Sequence, residues 1–150
     1  MRGIDTIVSE VIRIINTVPV LRAVSNYGNL LMDTPIEYPV VAVGVDHATM
    51  QTDKMSTYSG ERKGADGYSV PTKITLCADI FLPHTATGLV NYDAVCRIID
   101  VLMESDKVVS QVTCDRMYYA PSYVSTVLPV KITLNDRICN DWGGEQLSEL

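Results

Sequence analysis

A chain of 150 residues, 47% hydrophobic and 20% charged, has the makeup of one globular domain, which excludes general disorder. Folding at that length buries roughly two thirds of the unfolded surface, so neither metal nor disulfide staples are required. Eighteen acidic against twelve basic residues give a net charge of −6 and a pI near 4.7, which excludes a protein that grips nucleic acid over a wide basic surface.

At the N-terminus Ile4, Ile7, Val8, Val11, Ile12 and Ile15 share one helical face, and Arg2, Asp5, Glu10 and Arg13 lie off it, the pattern of an amphipathic helix. Its β-branched residues lower helix propensity, so this helix depends on docking against a sheet or a neighbouring subunit. Asp5 and Glu10 spoil the segment as a signal peptide, and no run approaches the ~18 apolar residues of a membrane span, so synthesis and assembly in the cytoplasm are expected. Pro19 stops the helix, and residues 20–33, with Ser25, Asn26, Gly28 and Asn29, read as an irregular connection.

Val40 to Val45, bounded by Pro39 and Asp46, is a short β-branched run of the kind that forms a buried strand. From His47 to Ser69 the period fades. A loop of more than ~15 residues is uncommon in a compact domain, so its ends are expected to be strands of a long hairpin with residues 60–67 at the tip. Met50, Met55 and Tyr58 stand there among Lys54, Arg62 and Lys63. A basic cluster in an acidic chain suits an acidic surface on another copy of the chain.

Residues 70–104 carry the strongest signal. Ile74, Leu76, Ala78, Ile80 and Leu82 alternate as in a strand with one buried face, and Val95, Ile98, Ile99, Leu102 and Met103 form the stripe of a covering helix. Two further runs follow: 107–119, with Val108, Val112 and Cys114, and 124–134, with Val124, Leu128, Val130, Ile132 and Leu134. Ala120, Pro121 and Ser122 between them predict an antiparallel hairpin, and Pro129 predicts an edge position or a bulge. Tyr118, Tyr119 and Tyr123 surround the turn, as local packing or as a subunit contact. The expected fold is a single α+β domain over residues 1–136, mainly antiparallel sheet packed with two main helices and a long hairpin or loop, followed by a C-terminal extension at 137–150.

No motif for chemistry stands out. The four cysteines lie about twenty residues apart with no CxxC pair, and are expected to be buried reduced thiols. His47 and His84 each follow a strand, and Asp46, His47 and Asp53 match no metal spacing; phosphate-binding and nucleophile motifs are absent. No catalytic, cofactor-binding or metal residues are expected.

The helix at the N-terminus, the PVVAVGV strand, the long polar hairpin, the KITLCADIFLP strand, the NYDAVCRIIDVLME helix and the YVSTVLPVKITL strand together resemble the tail terminator, or tail completion, proteins of long-tailed bacteriophages and phage-tail-like particles. The resemblance covers residues 4–134 and lies in the order and length of the elements. It implies a homo-hexameric ring on the head-proximal end of a tail tube that stops tube polymerisation and offers a surface to the neck or connector protein. DNA would pass the ring's channel without specific binding, no membrane would be involved, and the protein would reside in the virion. Met50, Lys54, Met55, Tyr58, Arg62, Lys63, Tyr118 and Tyr119 are the expected subunit and tube contacts. The alternatives are a head-tail connector of the same kind of particle, or a small ligand-binding or enzymatic domain using Asp46, His47 and His84.

Overall fold

In a computed structural model, which describes residues 2–25, 38–54, 56–59, 66–83 and 88–141, the N-terminal period produces α1 (Ile4–Ile15) with Ile7, Val11, Ile14 and Ile15 buried. The chain then turns into a short strand, β1 (Arg22–Ser25), where irregular chain was expected. Asn16 holds it: its Oδ1 accepts the Ala23 N–H at 2.8 Å and its Nδ2 donates to the Ala23 carbonyl at 3.3 Å. Four residues paired in parallel with Val40–Val43 have no local signature, because the partner lies far along the chain.

The remaining elements are β2 (Val40–Met50), a single 3-10 turn (Thr52–Lys54), β3 (Ser56–Ser59), β4 (Asp66–Pro83), α2 (Gly88–Glu104), β5 (Val108–Cys114), β6 (Tyr118–Ala120), β7 (Ser125–Leu128) and β8 (Val130–Asp141). The eight strands among the described residues form one mixed, mostly antiparallel sheet, and the protein is a single-domain α+β fold. β4 is its spine. One edge of β4 pairs with β2 and then β3, and the other with β7 and then β8. β1 lies outside β2, and β5 and β6 lie outside β8 and β7. The predicted hairpin is therefore present, with β5 and β6 returning through a turn at residues 121–124 into β7 and β8.

Both helices cover one face of the sheet. Ile74, Leu76, Ala78, Ile80 and Leu82 of β4 and Leu128, Val130, Ile132 and Leu134 of the neighbouring strands meet Ile7, Val11, Ile14, Val95, Ile98 and Leu102 of the helices. Burying one such aliphatic side chain contributes about 1.5–3 kcal/mol, so this layer dominates stability. On the opposite face a smaller cluster joins Val40, Ala42, Phe81 and Val127, with the Tyr123 ring edge-on to Phe81 at 5.4 Å.

Bulges account for several departures from the sequence expectations. β2 does not stop at Val45: its register slips between Val45 and His47, which lets it continue to Met50. In β5 the register slips at Ser110, whose hydroxyl donates to the Thr133 carbonyl at 3.3 Å. That slip turns Val109 and Val112 toward the core and leaves Val108 exposed, against the expected alternation. Pro129 sits inside the sheet, in the register that both β7 and β8 keep with β4. On the other side Cys114 pairs with Val130 and Tyr118 with Val127, so an extra residue is accommodated there, and the missing N–H of Pro129 falls at this bulge.

Three more expectations need correction. Met103, placed on the buried stripe, is exposed, because α2 buries Ala94, Val95, Ile98 and Leu102 instead. All four cysteines are free thiols, but none is buried: Cys77 and Cys139 are half-buried, and Cys96 and Cys114 are exposed. The sheet also continues beyond residue 136, since β8 runs to Asp141 and pairs with β4 as far as Gly67.

A four-residue charge cluster fastens the helical layer to the sheet. Arg2 forms ion pairs with Glu10 and, at 2.9 Å, with Asp136; Lys107 reaches Glu10 at 2.6 Å and Asp136 at 3.6 Å. The Arg2 backbone exchanges two hydrogen bonds with Cys139 of β8, at 2.9 and 3.0 Å. One strap thus ties the start of α1, the end of the α2 turn and β8. Hydrogen bonds from Arg2 and Lys107 lower the Glu10 carboxyl from 4.5 to about 2.

Because the folded state prefers the Glu10 carboxylate, its stabilisation is fully present above about pH 4.5 and is lost as pH falls toward 2. After allowance for solvent screening it amounts to about 1–2 kcal/mol. Urea unfolding at pH 6 and pH 2.5 should show this acid loss, and the loss should shrink by that amount in Glu10→Gln.

Among the described residues, two other than glycine adopt positive φ: Asp106 at 63° and Val124 at 48°. Asp106 closes α2 in a Schellman turn, with the Lys107 N–H donating to the Leu102 carbonyl and the Asp106 N–H to that of Met103. An acidic residue is also disfavoured at this position, just past the negative end of the helix dipole. Asp106→Gly and Val124→Gly should each raise stability by about 1 kcal/mol, measured as a shift in urea midpoint.

Candidate assembly surfaces

The core between sheet and helices begins at Ile74 of β4, yet β4 starts at Asp66. The residues before Ile74 are flanked on one side by the end of β2, at Thr72 and Lys73, and then by β3, at residues 66–69, and on the other by the end of β8, which makes a three-stranded arm about 25 Å long at ~3.3 Å per residue. Thr72 and Val70 are buried within it, and the Thr72 hydroxyl donates to the Val70 carbonyl at 3.0 Å. Arg137 reinforces the arm across strands by donating from Nε to the Ser69 hydroxyl at 2.6 Å. At its root lies a cleft of about 260 Å³ lined by Gln51, Pro71, Thr72, Lys73, Asn135 and Asp136.

The sequence-predicted contact residues separate into two groups. Met50 ends β2 and is exposed, Lys54 is exposed on the 3-10 turn that follows, and Tyr58 stands on β3 opposite Gly67, so all three belong to the arm. Met55, Arg62 and Lys63 lie outside the described residues, as does His84. Tyr118 and Tyr119 are exposed on β6. Met50 faces Thr72 of β4, whereas Tyr118 leads through Val127 to Phe81, about nine residues and roughly 30 Å further along β4. The structure therefore does not bring these tyrosines to the arm.

Sequence reasoning missed a third surface, the α2–β5 side with exposed Tyr92, Met103 and Val108. Met103 was assigned to the buried stripe of the helix and Val108 to the buried face of its strand, and the packing of α2 and the bulge at Ser110 turn them outward; Tyr92 was not singled out.

The sheet face opposite the helices carries a polar cluster where β2 crosses β4. His47 Nδ1 lies 2.7 Å from Asp46 Oδ2, the Cys77 thiol donates to Asp46 Oδ1 at 3.8 Å, and Lys131 Nζ stands 3.9 Å from the same oxygen. The His47 interaction, then the charge of Lys131, favour the Asp46 carboxylate. Burial, then the charges of Asp46 and Asp79, push the Cys77 thiol above its ordinary range. A nucleophilic cysteine needs the opposite shift. Nearby, burial raises the Asp79 carboxyl against a hydrogen bond from the Val130 N–H. Among the described residues no three His, Cys, Asp or Glu side chains converge as metal ligands, and no helix is long and apolar enough to cross a membrane.

Since the Asp46 charge opposes the thiolate, Asp46→Asn should speed alkylation of Cys77 at pH 8 several-fold, read by mass spectrometry of the labelled peptide. No family model matches the chain, and no curated protein matches it.

Proposed function

We propose that this protein is a structural component of a phage tail or phage-tail-like particle: a ring that caps the head-proximal end of the tail tube, stops its growth and presents a docking surface to the neck. The observation that carries the reading is the arm. A three-stranded extension that runs on past the helical layer has little use in an isolated subunit, because a projecting sheet exposes surface and strand edges at a cost in solubility. In a closed ring each arm finds a neighbour or the tube, and the edges are covered.

The element order supports the same reading, from the docked β-branched helix through the long hairpin to the closing strands. The acidic balance suits a channel that DNA traverses without adhering. The cluster at Asp46, His47 and Cys77 favours no enzymatic alternative, since its thiol is held protonated and its carboxylate is already engaged.

Removing the gene should yield tails of uncontrolled length in electron micrographs, and the full chain supplied in trans should restore uniform length. Complementation by His47→Ala/His84→Ala should be unimpaired. Tails of normal length without the gene would contradict the proposal, and failure of the histidine variant, if folded, would favour the enzymatic alternative.

A further inference from the structure

The edges of the sheet differ in how well they are guarded against a further strand. Among the described residues β1, β3, β5 and β6 each pair with a single strand, and β5, at seven residues, is the longest of them. Its sequence, VVSQVTC, holds neither a charge nor a proline, the residues that usually block an edge, whereas β1 carries Arg22 and β6 runs into Pro121. Val108, Ser110, Gln111, Thr113 and Cys114 are all exposed, so the described chain leaves this edge accessible.

An apolar stripe of α2 runs beside that edge. Tyr92, Cys96, Ile99 and Met103 recur at helical steps on the flank next to the buried Val95, Ile98 and Leu102; Ile99 is half-buried and the other three are exposed. Burial, then the charges of Asp115 and Cys96, push the Cys114 thiol above its ordinary range, so Cys96 and its flank lie toward the end of β5. Cys114 in turn pairs with Val130 of the helix-covered core and faces the helices. A strand added outside β5 would hydrogen-bond to its backbone and lay every second side chain against this stripe.

Charge describes the rest of the occupant. Asp100 and Glu104 are exposed on the outer side of the stripe, Asp106 stands just before β5 and Asp115 just after it, and none of the four has an ion pair among the described residues. Of the nearby cations Arg97 is held by Asp93 at 2.9 Å and Lys107 by Glu10 at 2.6 Å, which leaves Arg116. The surroundings are acidic and suit a basic partner.

A second β5 fits this edge poorly. Two-fold pairing sets residues that face the same side of the sheet opposite one another, and the slip at Ser110 spoils that: Val109, Val112 and Cys114 face the helices, whereas Val108, Gln111 and Thr113 face away. About an axis at Gln111, Val109 would meet Thr113; an axis at Val112 leaves Val108 and Val109 without strand partners. A foreign strand carries no such restriction.

We infer that the β5 edge is a docking site for an extended segment of another protein, which adds as a strand, sets alternate apolar side chains against Tyr92, Ile99 and Met103, and brings Lys or Arg to the acidic groups at its ends. The site is complete within one subunit and does not rest on the ring reading.

Capped peptides of the form KVTVTVTK, with Val, Ile, Leu or Tyr at the inward positions, are the probes, added to the full chain. Amide hydrogen exchange, read by mass spectrometry, should slow at least tenfold over residues 108–114 with the best of them, and N-methylation of alternate peptide amides should abolish the effect while keeping the side chains. Glu in place of the terminal Lys should weaken binding at least tenfold, and Glu104→Gln/Asp106→Asn should narrow that gap. Gln111→Lys/Thr113→Lys, which guards the edge with charge, and Met103→Ser, which cuts the stripe, should each weaken binding, with circular dichroism establishing that the variants are folded. No slowing with any of the peptides, or equal binding of the N-methylated one, would overturn the inference. So would a parent chain that sediments as a dimer with residues 108–114 already protected, since a second copy would then hold the edge.

Discussion

The unbroken pairing of β4 along both its edges is the constraint on which the rest of the structure depends. From Asp66 to Pro83 it is flanked first by β3 and β8, then by β2 and β8, and finally by β2 and β7. Because side chains alternate across a strand, this single register sets which residues meet the helices and which form the opposite face. A slip of one residue would bring Thr75, Cys77 and Asp79 under α1 and α2 and turn Ile74, Leu76 and Ala78 out. The register is held by apolar burial over Ile74–Leu82 and, beyond the core, by the backbone bonds and Arg137–Ser69 contact of the arm.

The helical layer follows from that sheet. α1 is poor in intrinsic propensity and its N-cap, Gly3, offers no side-chain hydrogen bond. What holds it is burial of its stripe together with the strap of Arg2, Glu10, Lys107 and Asp136, which links residues distant in sequence through two cations and two carboxylates. Lys107 is the most enclosed member, and leaving it without Glu10 would cost more than the pair contributes, because a charge would then be held away from water with one partner fewer. The same strap clamps the arm partway along its length, since Arg2 pairs with Cys139 opposite Ser69 of β4. Stability of the core and placement of the arm are therefore coupled.

The elements with a regular period were legible in the sequence: α1 to the residue, the inward face of β4, the β5–β8 hairpin and the α+β class. What was not legible has physical causes. β1 is four residues whose partner is fifteen or more residues away and whose anchor is the side chain of Asn16. The bulges at Asp46 and Ser110 break the alternation that reveals a strand, so β2 looked too short and Val108 looked buried. Pro129 signalled an edge position or a bulge, and the bulge is what forms, in the gap between β5 and β6. Of the candidate contacts, the arm was visible as a long polar insertion with basic residues. The outward turn of Met103 and Val108 was not, since it follows from how α2 packs on the sheet and from the bulge at Ser110.

The arm lies beside a core in which no three metal-ligating side chains converge among the described residues, and it is a surface that a second copy would cover. The most direct measurement of the central claim is the native mass of the purified full chain over a range of concentrations, with and without tail-tube ends. The account predicts a closed oligomer of hexamer size, formed outright or on the tube end. A chain that stays monomeric throughout, and leaves the tube end uncapped, would contradict it.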